Sequence, residues 1–590
     1  MSFWKIFFGS LLGFFVGTIL ITLFSVMILA GIVSSYSSKE PVTVKEKSVL
    51  KLDLDYEISE QTSYQPVTYF SLKDFPPSQN PGVYDIVKTI EKAKDDDNIK
   101  GIYLDFGYAG GGLATTEQIR NSLEDFKKSG KFVIAYAEIF TERTYYLCSI
   151  ADKVFVNPKG GIEFNGINVQ YTFFKHLLEK IGVEPQIFYD GKFKSATEPF
   201  RLDSMSTPNK IMTRAMIDDI HSHIIQRISV SRNVALQQLD SVNDNFLVHS
   251  ANDAVKYQIA DSAFFIDQVQ HYMKNQLHIG EKDKINFVSL ENYMQVPGKK
   301  TEVSIDDDKI ALLIAQGDIV DGKGSDDNIG SEKYVNLLRK LREDDKVKAI
   351  VFRVNSPGGS ALASDVIARE VELTAKKKPI VVSMGDYAAS GGYYISAFAT
   401  KIVAQPNTLT GSIGVFGILP NMQKLFEDKL GLNFDNVETG KYSDFGVPTR
   451  PLREDERKII QDEVDTIYLE FRTTVAEGRK IDRDKVDTIA QGRVWTGTQG
   501  LQLGLVDTLG GIDEAISIAA RLAHLSKYRI AEYPEIKNEW YQILQKLSED
   551  KNNSAIRSQL GIYYPMYEEL KELSQMNGIQ ARMPFVIRID

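Results

Sequence analysis

KGIYLDFGYAGGGLA (100–114) lies over KAIVFRVNSPGGSAL (348–362) without a gap, at an offset of 248 residues (348 − 100). The register continues: FVIAYAEIFTERTYYLCSIADKVFVNP (132–158) lies over IVVSMGDYAASGGYYISAFATKIVAQP (380–406). Self-similarity at this spacing is too long for a solenoid repeat and indicates two domain-sized copies. Each copy reads as apolar strand, glycine turn, helix, apolar strand (GIYLDF and FVIAYA; AIVFRV and IVVSM). Upstream, SVLKLDLDYEI (48–58) alternates like a strand, and KIALLIAQGDIV (309–320) is its counterpart. Amphipathic helices follow at 84–96 and 331–345. Strands alternating with helices predict an α/β chain whose copies each hold a parallel sheet with crossover helices.

The informative positions are the mismatches. Ser390, in AASGG, falls on Glu142 of the first copy. GKFKSA (191–196) meets GKYSDF (440–445), so Lys194 falls on Ser443 while Lys192 keeps a lysine partner in Lys441. One copy keeps a serine in a glycine turn; the other keeps an unmatched lysine.

Composition bounds the function. The chain has 590 residues, 43% hydrophobic and 25% charged, which is globular and long enough for several cores. A net charge of −10 argues against nucleic acid as a partner, because phosphate contacts need a basic face. A single cysteine, Cys148, excludes an intrachain disulfide and reads as a core residue. The first 38 residues read as a membrane anchor: 6–38 carries no charge, and the apolar run 7–33 is too long for the core of a cleaved signal peptide. Lys5 before the run suggests a cytoplasmic N-terminus and an extracytoplasmic body. The expected organisation is an anchor at 1–38, a first repeat at 48–302, a second at 303–534, and a helical tail at 535–590.

Ser390 stands between a strand and a helix start, where the Gly391 amide can face an oxyanion. A small residue at a tight turn would look the same. NSPGGS (355–360) ends the neighbouring strand, and its glycines let the backbone approach a substrate. Carboxyl ends of adjacent parallel strands form the ligand crevice of open sheets. None of the seven histidines lies in or beside a glycine turn, although distance in sequence does not exclude one from approaching in space; lysine is the known alternative base for a serine. An ordinary lysine, with a pKa of about 10.4, is neutral in only about one molecule in 2,500 at pH 7. Lowering it by roughly three units takes about 4 kcal/mol of desolvation or charge repulsion. Lys194, within IFYDGKFKSATEPF, is preceded by strand-like IFY and flanked by Phe193 and Ala196.

The blocks NSPGG, GDYAASGGYYIS, TLTGSIGV and GKFKSATEPF, each in its own half of the chain, resemble the signal peptide peptidase A (protease IV) family in its long two-half form. The resemblance implies tandem Clp-protease/crotonase-like domains and a serine endopeptidase without a cofactor or metal. It implies Ser390 as nucleophile, Lys194 as general base, Ser412 as the residue that orients the lysine, and the amides of Gly391 and Gly359 as oxyanion donors. Phe164, the first-copy counterpart of Ser412, could not orient an amine. The family also implies signal peptides as substrates, membrane lipid around the anchor, a homotetramer, and a single-pass location in the cytoplasmic membrane. Two other readings compete. A crotonase-like acyl-CoA enzyme would also use paired amides, but gives no reason for an unmatched Lys194. A non-catalytic envelope scaffold gives no reason for both members of the pair to persist on opposite copies.

Overall fold

The computed structural model describes residues 3–37, 42–64, 79–298, 307–535 and 578–583, with isolated residues between 556 and 567. Val303, the expected boundary between the copies, lies outside the described residues.

The first copy builds a six-stranded parallel sheet in the order Ser262–Ala263, Lys153–Ile162, Phe132–Phe140, Ile99–Asp105, Ser48–Leu52, Asn286–Ser289. The second copy repeats the central order: Leu409–Gly411, Ile380–Ala389, Val347–Ser356, Lys309–Gln316, then Arg529–Tyr533. Helices on both faces bury these strands, which is why they read as continuous apolar runs. Ala349, Ile350, Val351, Phe352 and Val354 are all fully buried. The expected helices run Val83–Asp95 and Ser331–Glu343. The strand expected over 48–58 stops at Leu52, where its pairing with Ile99–Asp105 ends at Leu104.

The two copies are joined through polar contacts between their sheets. Arg353, fully buried in the second sheet, pairs with Glu60 of the first copy at 2.8 Å, and also donates to Ser383 Oγ and the Met384 carbonyl. Asp386 of the second copy accepts from the amide and hydroxyl of Thr115, capping the first-copy helix Leu113–Lys127.

A third, mixed sheet is assembled from both copies. Its order is Ile329–Gly330, Ile319–Val320, Gly358–Ser360, Ile579–Arg582, Val415–Asn421, Glu184–Asp190. Within the tail, where the sequence predicts helix, Ile579–Arg582 is a strand that pairs with two edges of this sheet. At the other end of the chain, Phe3–Ser37 is one helix. Its stretch Phe3–Ser25 is long and apolar enough to cross a membrane and is not buried against the rest of the protein.

Candidate active site

Lys194 and Ser390 meet because of the mixed sheet. The first-copy strand Glu184–Asp190 pairs antiparallel with Val415–Asn421 along its whole length, from Val415↔Asp190 to Asn421↔Glu184. Lys194 stands four residues beyond Asp190, and Ser412 three before Val415. The pairing therefore draws the lysine loop over the turn that holds Ser412. Packing holds the loop there: Phe193 N–H donates to the Gln491 carbonyl at 2.7 Å, and a Cβ on Gly492 (φ +75°) would stand 2.6 Å from Lys194 Cβ.

Lys194 Nζ is 2.9 Å from Ser390 Oγ and 3.2 Å from both the hydroxyl and the carbonyl of Ser412. All three residues are buried: Ser390 and Ser412 at 0% exposure, Lys194 at 1%. The Phe416 ring centroid lies 5.9 Å from Nζ. Burial drives the Lys194 amine well below the ordinary lysine range.

Ser390 ends the strand Ile380–Ala389 with φ +54° and ψ −114°, a conformation that costs a non-glycine residue on the order of 1–3 kcal/mol. It is held by its amide donating to the Gly411 carbonyl at 2.7 Å, while its own carbonyl accepts from Tyr394 N–H at 2.8 Å. The result turns Oγ toward Lys194, with the Gly414 carbonyl 3.3 Å away. The strand Val347–Ser356 is the immediate sheet neighbour, so Pro357-Gly358-Gly359 opens beside Gly391. A Cβ on Gly358 would stand 2.8 Å from Gly391 N, which is how closely these two turns approach.

The equivalent place in the first copy is filled differently. Glu142 is buried and accepts from the amides of Asn165 and Gly166, both at 2.8 Å. Phe164 is fully buried and packs edge-on against Tyr145. A structural carboxylate and an aromatic ring occupy the positions where the second copy has two serines.

Sequence reading missed three contributors. Gly492 seats the lysine loop, yet QGRV (491–494) gave no sign of it beyond a glycine. The Gly414 carbonyl carries no side-chain signature. The strand Ile579–Arg582 lies far from every motif.

The comparisons with known proteins give the class of this duplicated α/β framework: a serine peptidase. The chain belongs to peptidase family S49, whose family model matches residues 125–280 and 372–526, once in each copy. Protease 4 of Haemophilus influenzae is 31% identical over 575 residues, covering 93% of this chain and 92% of that protein. Protease 4 of Salmonella typhi is 36% identical, covering 78% and 74%. The chloroplastic serine protease SPPA of Arabidopsis thaliana is 33% identical, covering 92% and 78%. Among solved structures, ClpP1 from Listeria monocytogenes matches with TM-score 0.22 at 14% identity, over 34% of this chain and 91% of its own. A mutant of the 1510-N membrane-bound stomatin-specific protease matches with TM-score 0.26 at 14% identity, over 39% and 100%.

Proposed function

We propose that the chain is a membrane-anchored endopeptidase in which Ser390 is the nucleophile and Lys194 the general base, and that it degrades signal peptides after their release. The observation that carries this reading is the 2.9 Å approach of a desolvated lysine amine to a strained serine hydroxyl. Neutral Lys194 takes the Ser390 proton as Oγ attacks the peptide carbonyl. The amides of Gly391 and Gly359 stabilise the oxyanion. The resulting lysine ammonium, steadied by Ser412, protonates the leaving amine. A water, deprotonated by the same lysine, then hydrolyses the acyl-enzyme. No step calls for a metal or cofactor.

The apolar helix Phe3–Ser25 would tether the body to the cytoplasmic membrane, on its extracytoplasmic side, where hydrophobic peptides leave the bilayer. Homotetrameric assembly belongs to the same reading and is tested by light scattering in detergent. The deciding test is hydrolysis of an internally quenched hydrophobic peptide by the full chain. Ser390→Ala and Lys194→Ala should abolish turnover with unchanged circular dichroism, and a fluorophosphonate should label wild type at Ser390. Near-normal turnover by Lys194→Ala at neutral pH would end the assignment of the base. Release of fragments from a synthetic signal peptide in proteoliposomes tests the substrate class; resistance of that peptide, with other peptides cut, would refute it.

A further inference from the structure

The strand that leads to Ser390 is irregular just before the serine. Val354 pairs with Met384, and Ser356 pairs with Ala388. Between these pairs the strand Val347–Ser356 has one residue, Asn355, while its partner has three, Gly385, Asp386 and Tyr387. The two extra residues form a bulge, which re-aims the chain beyond it. They also set the height of the serine. In unbroken register Asp386 would stand opposite Ser356, and Ser390 would run two residues farther past the turn Pro357-Gly358-Gly359.

Each bulge residue is held by a different partner. The Gly385 carbonyl accepts from Thr408 Oγ1 at 2.8 Å. The Asp386 carboxylate accepts from the first-copy amides of Thr115 at 2.9 Å and Gly112 at 3.2 Å. Tyr387 N–H donates to Asn355 Oδ1 at 3.1 Å. This last contact spans the bulge: where the ladder is interrupted, the side chain of Asn355 supplies the acceptor. The other end of the same amide is fixed as well, because Nδ2 donates to Glu60 Oε1 at 2.9 Å. Glu60 belongs to the first copy, is buried, and is paired with Arg353. A carboxylate in such a pair only accepts, so it decides which end of the asparagine amide faces Tyr387. The surroundings leave no slack. A Cβ on Gly385 would stand 2.7 Å from Asn355 Cβ, Asn355 Cγ and Glu60 Oε1.

We propose that Asn355 is a positioning residue for Ser390: its amide, oriented by Glu60 of the first copy, clamps the bulge and so fixes Oγ and the Gly391 amide against the neighbouring glycine turn. The inference rests on the peptidase reading above. Asn355 acts through the strand backbone and not on the substrate. Past the clamp, the Ala388 carbonyl accepts from Thr410 Oγ1 at 2.8 Å, and the serine follows two residues on. The first copy thereby takes a second part in the reaction, besides supplying Lys194.

Hydrolysis of a quenched peptide by the full chain tests this, with kcat counted per fluorophosphonate-reactive site so that unfolded molecules do not contribute. A displacement of about 1 Å in a reacting group can cost about 100-fold in rate, so Asn355→Ala should lower kcat by about that factor with KM little changed. The rate of fluorophosphonate labelling should fall with it, which a loss of stability alone would not cause. Asn355→Asp sets two carboxylates against each other and should lose kcat likewise. Adding Glu60→Gln turns the contact around, an amide now donating to a carboxylate, and should recover most of the loss. This pair of variants decides the matter if Asn355→Ala does not fold. A wild-type kcat per reactive site in Asn355→Ala overturns the inference and leaves the peptidase reading standing. So does an effect confined to KM, or a double variant no faster than Asn355→Asp. A wild-type chain that neither hydrolyses the peptide nor takes the label overturns the peptidase reading together with the inference.

Discussion

Lys194 Nζ and Ser390 Oγ stand 2.9 Å apart within one chain, although 196 residues separate them. Each belongs to a different copy of the repeat, so the candidate site exists only where the copies pair. This arrangement makes the chemistry depend on the fold in specific ways.

The first consequence concerns pH. Only the unprotonated Lys194 can accept the serine proton, and burial lowers its pKa well below the ordinary lysine range. The rate kcat/KM should rise with pH and level off well below pH 10.5, as the amine loses its proton. A profile still rising along the titration of an ordinary, solvated lysine would show that the amine is not desolvated in solution. Initial rates across the pH range at fixed ionic strength provide the measurement.

Stability should rise with pH as well, through the same burial. Unfolding lets Lys194 regain its ordinary pKa, so between the lowered and the ordinary value the unfolded chain binds a proton that the folded chain lacks. Stability contributed at this position is therefore full above the ordinary lysine pKa and falls as pH drops toward the lowered one. Replacing the amine by a thioether of similar length removes that penalty. Lys194→Met should unfold at the same or a higher denaturant concentration than wild type at pH 7, with turnover abolished. A clearly lower midpoint would contradict this account of the buried amine.

Gly492 should prove to be a positioning residue. An alanine there meets an unfavourable φ of +75° and would bring its Cβ to 2.6 Å from Lys194 Cβ. The lysine loop has to shift, and a displacement of about 1 Å in a reacting group can cost about 100-fold in rate. Gly492→Ala should lower kcat by about that factor while KM for a quenched peptide changes little. A variant that keeps the wild-type kcat would refute the role.

The buried pair Arg353–Glu60 ties the copies together. Removing one partner leaves a charge without compensation in a fully buried place, at a cost of about 3–5 kcal/mol. Glu60→Leu and Arg353→Met should each destabilise by about that amount. The double variant should recover most of the loss, because the uncompensated charge is gone. Urea unfolding of the four proteins gives the coupling energy; additive losses would mean that the pair does not act as a unit.

Much of this was legible in the chain itself. The offset repeat set the α/β architecture, because alternating apolar strands and amphipathic helices can bury their faces only in a covered parallel sheet. The exchange of Ser390 for Glu142, and the lack of any first-copy match to the serine at Ser412, marked one copy as altered. The absence of histidine from the glycine turns directed attention to Lys194. These are local patterns and residue identities, which a linear sequence states directly.

Tertiary structure decided the rest. The meeting of Lys194 with Ser390 depends on the pairing of Glu184–Asp190 with Val415–Asn421, a contact between segments more than 200 residues apart that no periodicity encodes. The lowered pKa depends on desolvation, which belongs to the enclosure around the amine and not to its sequence neighbours. IQARM (579–583) carries no strand signature of its own; it is extended because two sheet edges flank a gap one strand wide, and backbone hydrogen bonds recognise any chain that can lie straight between them.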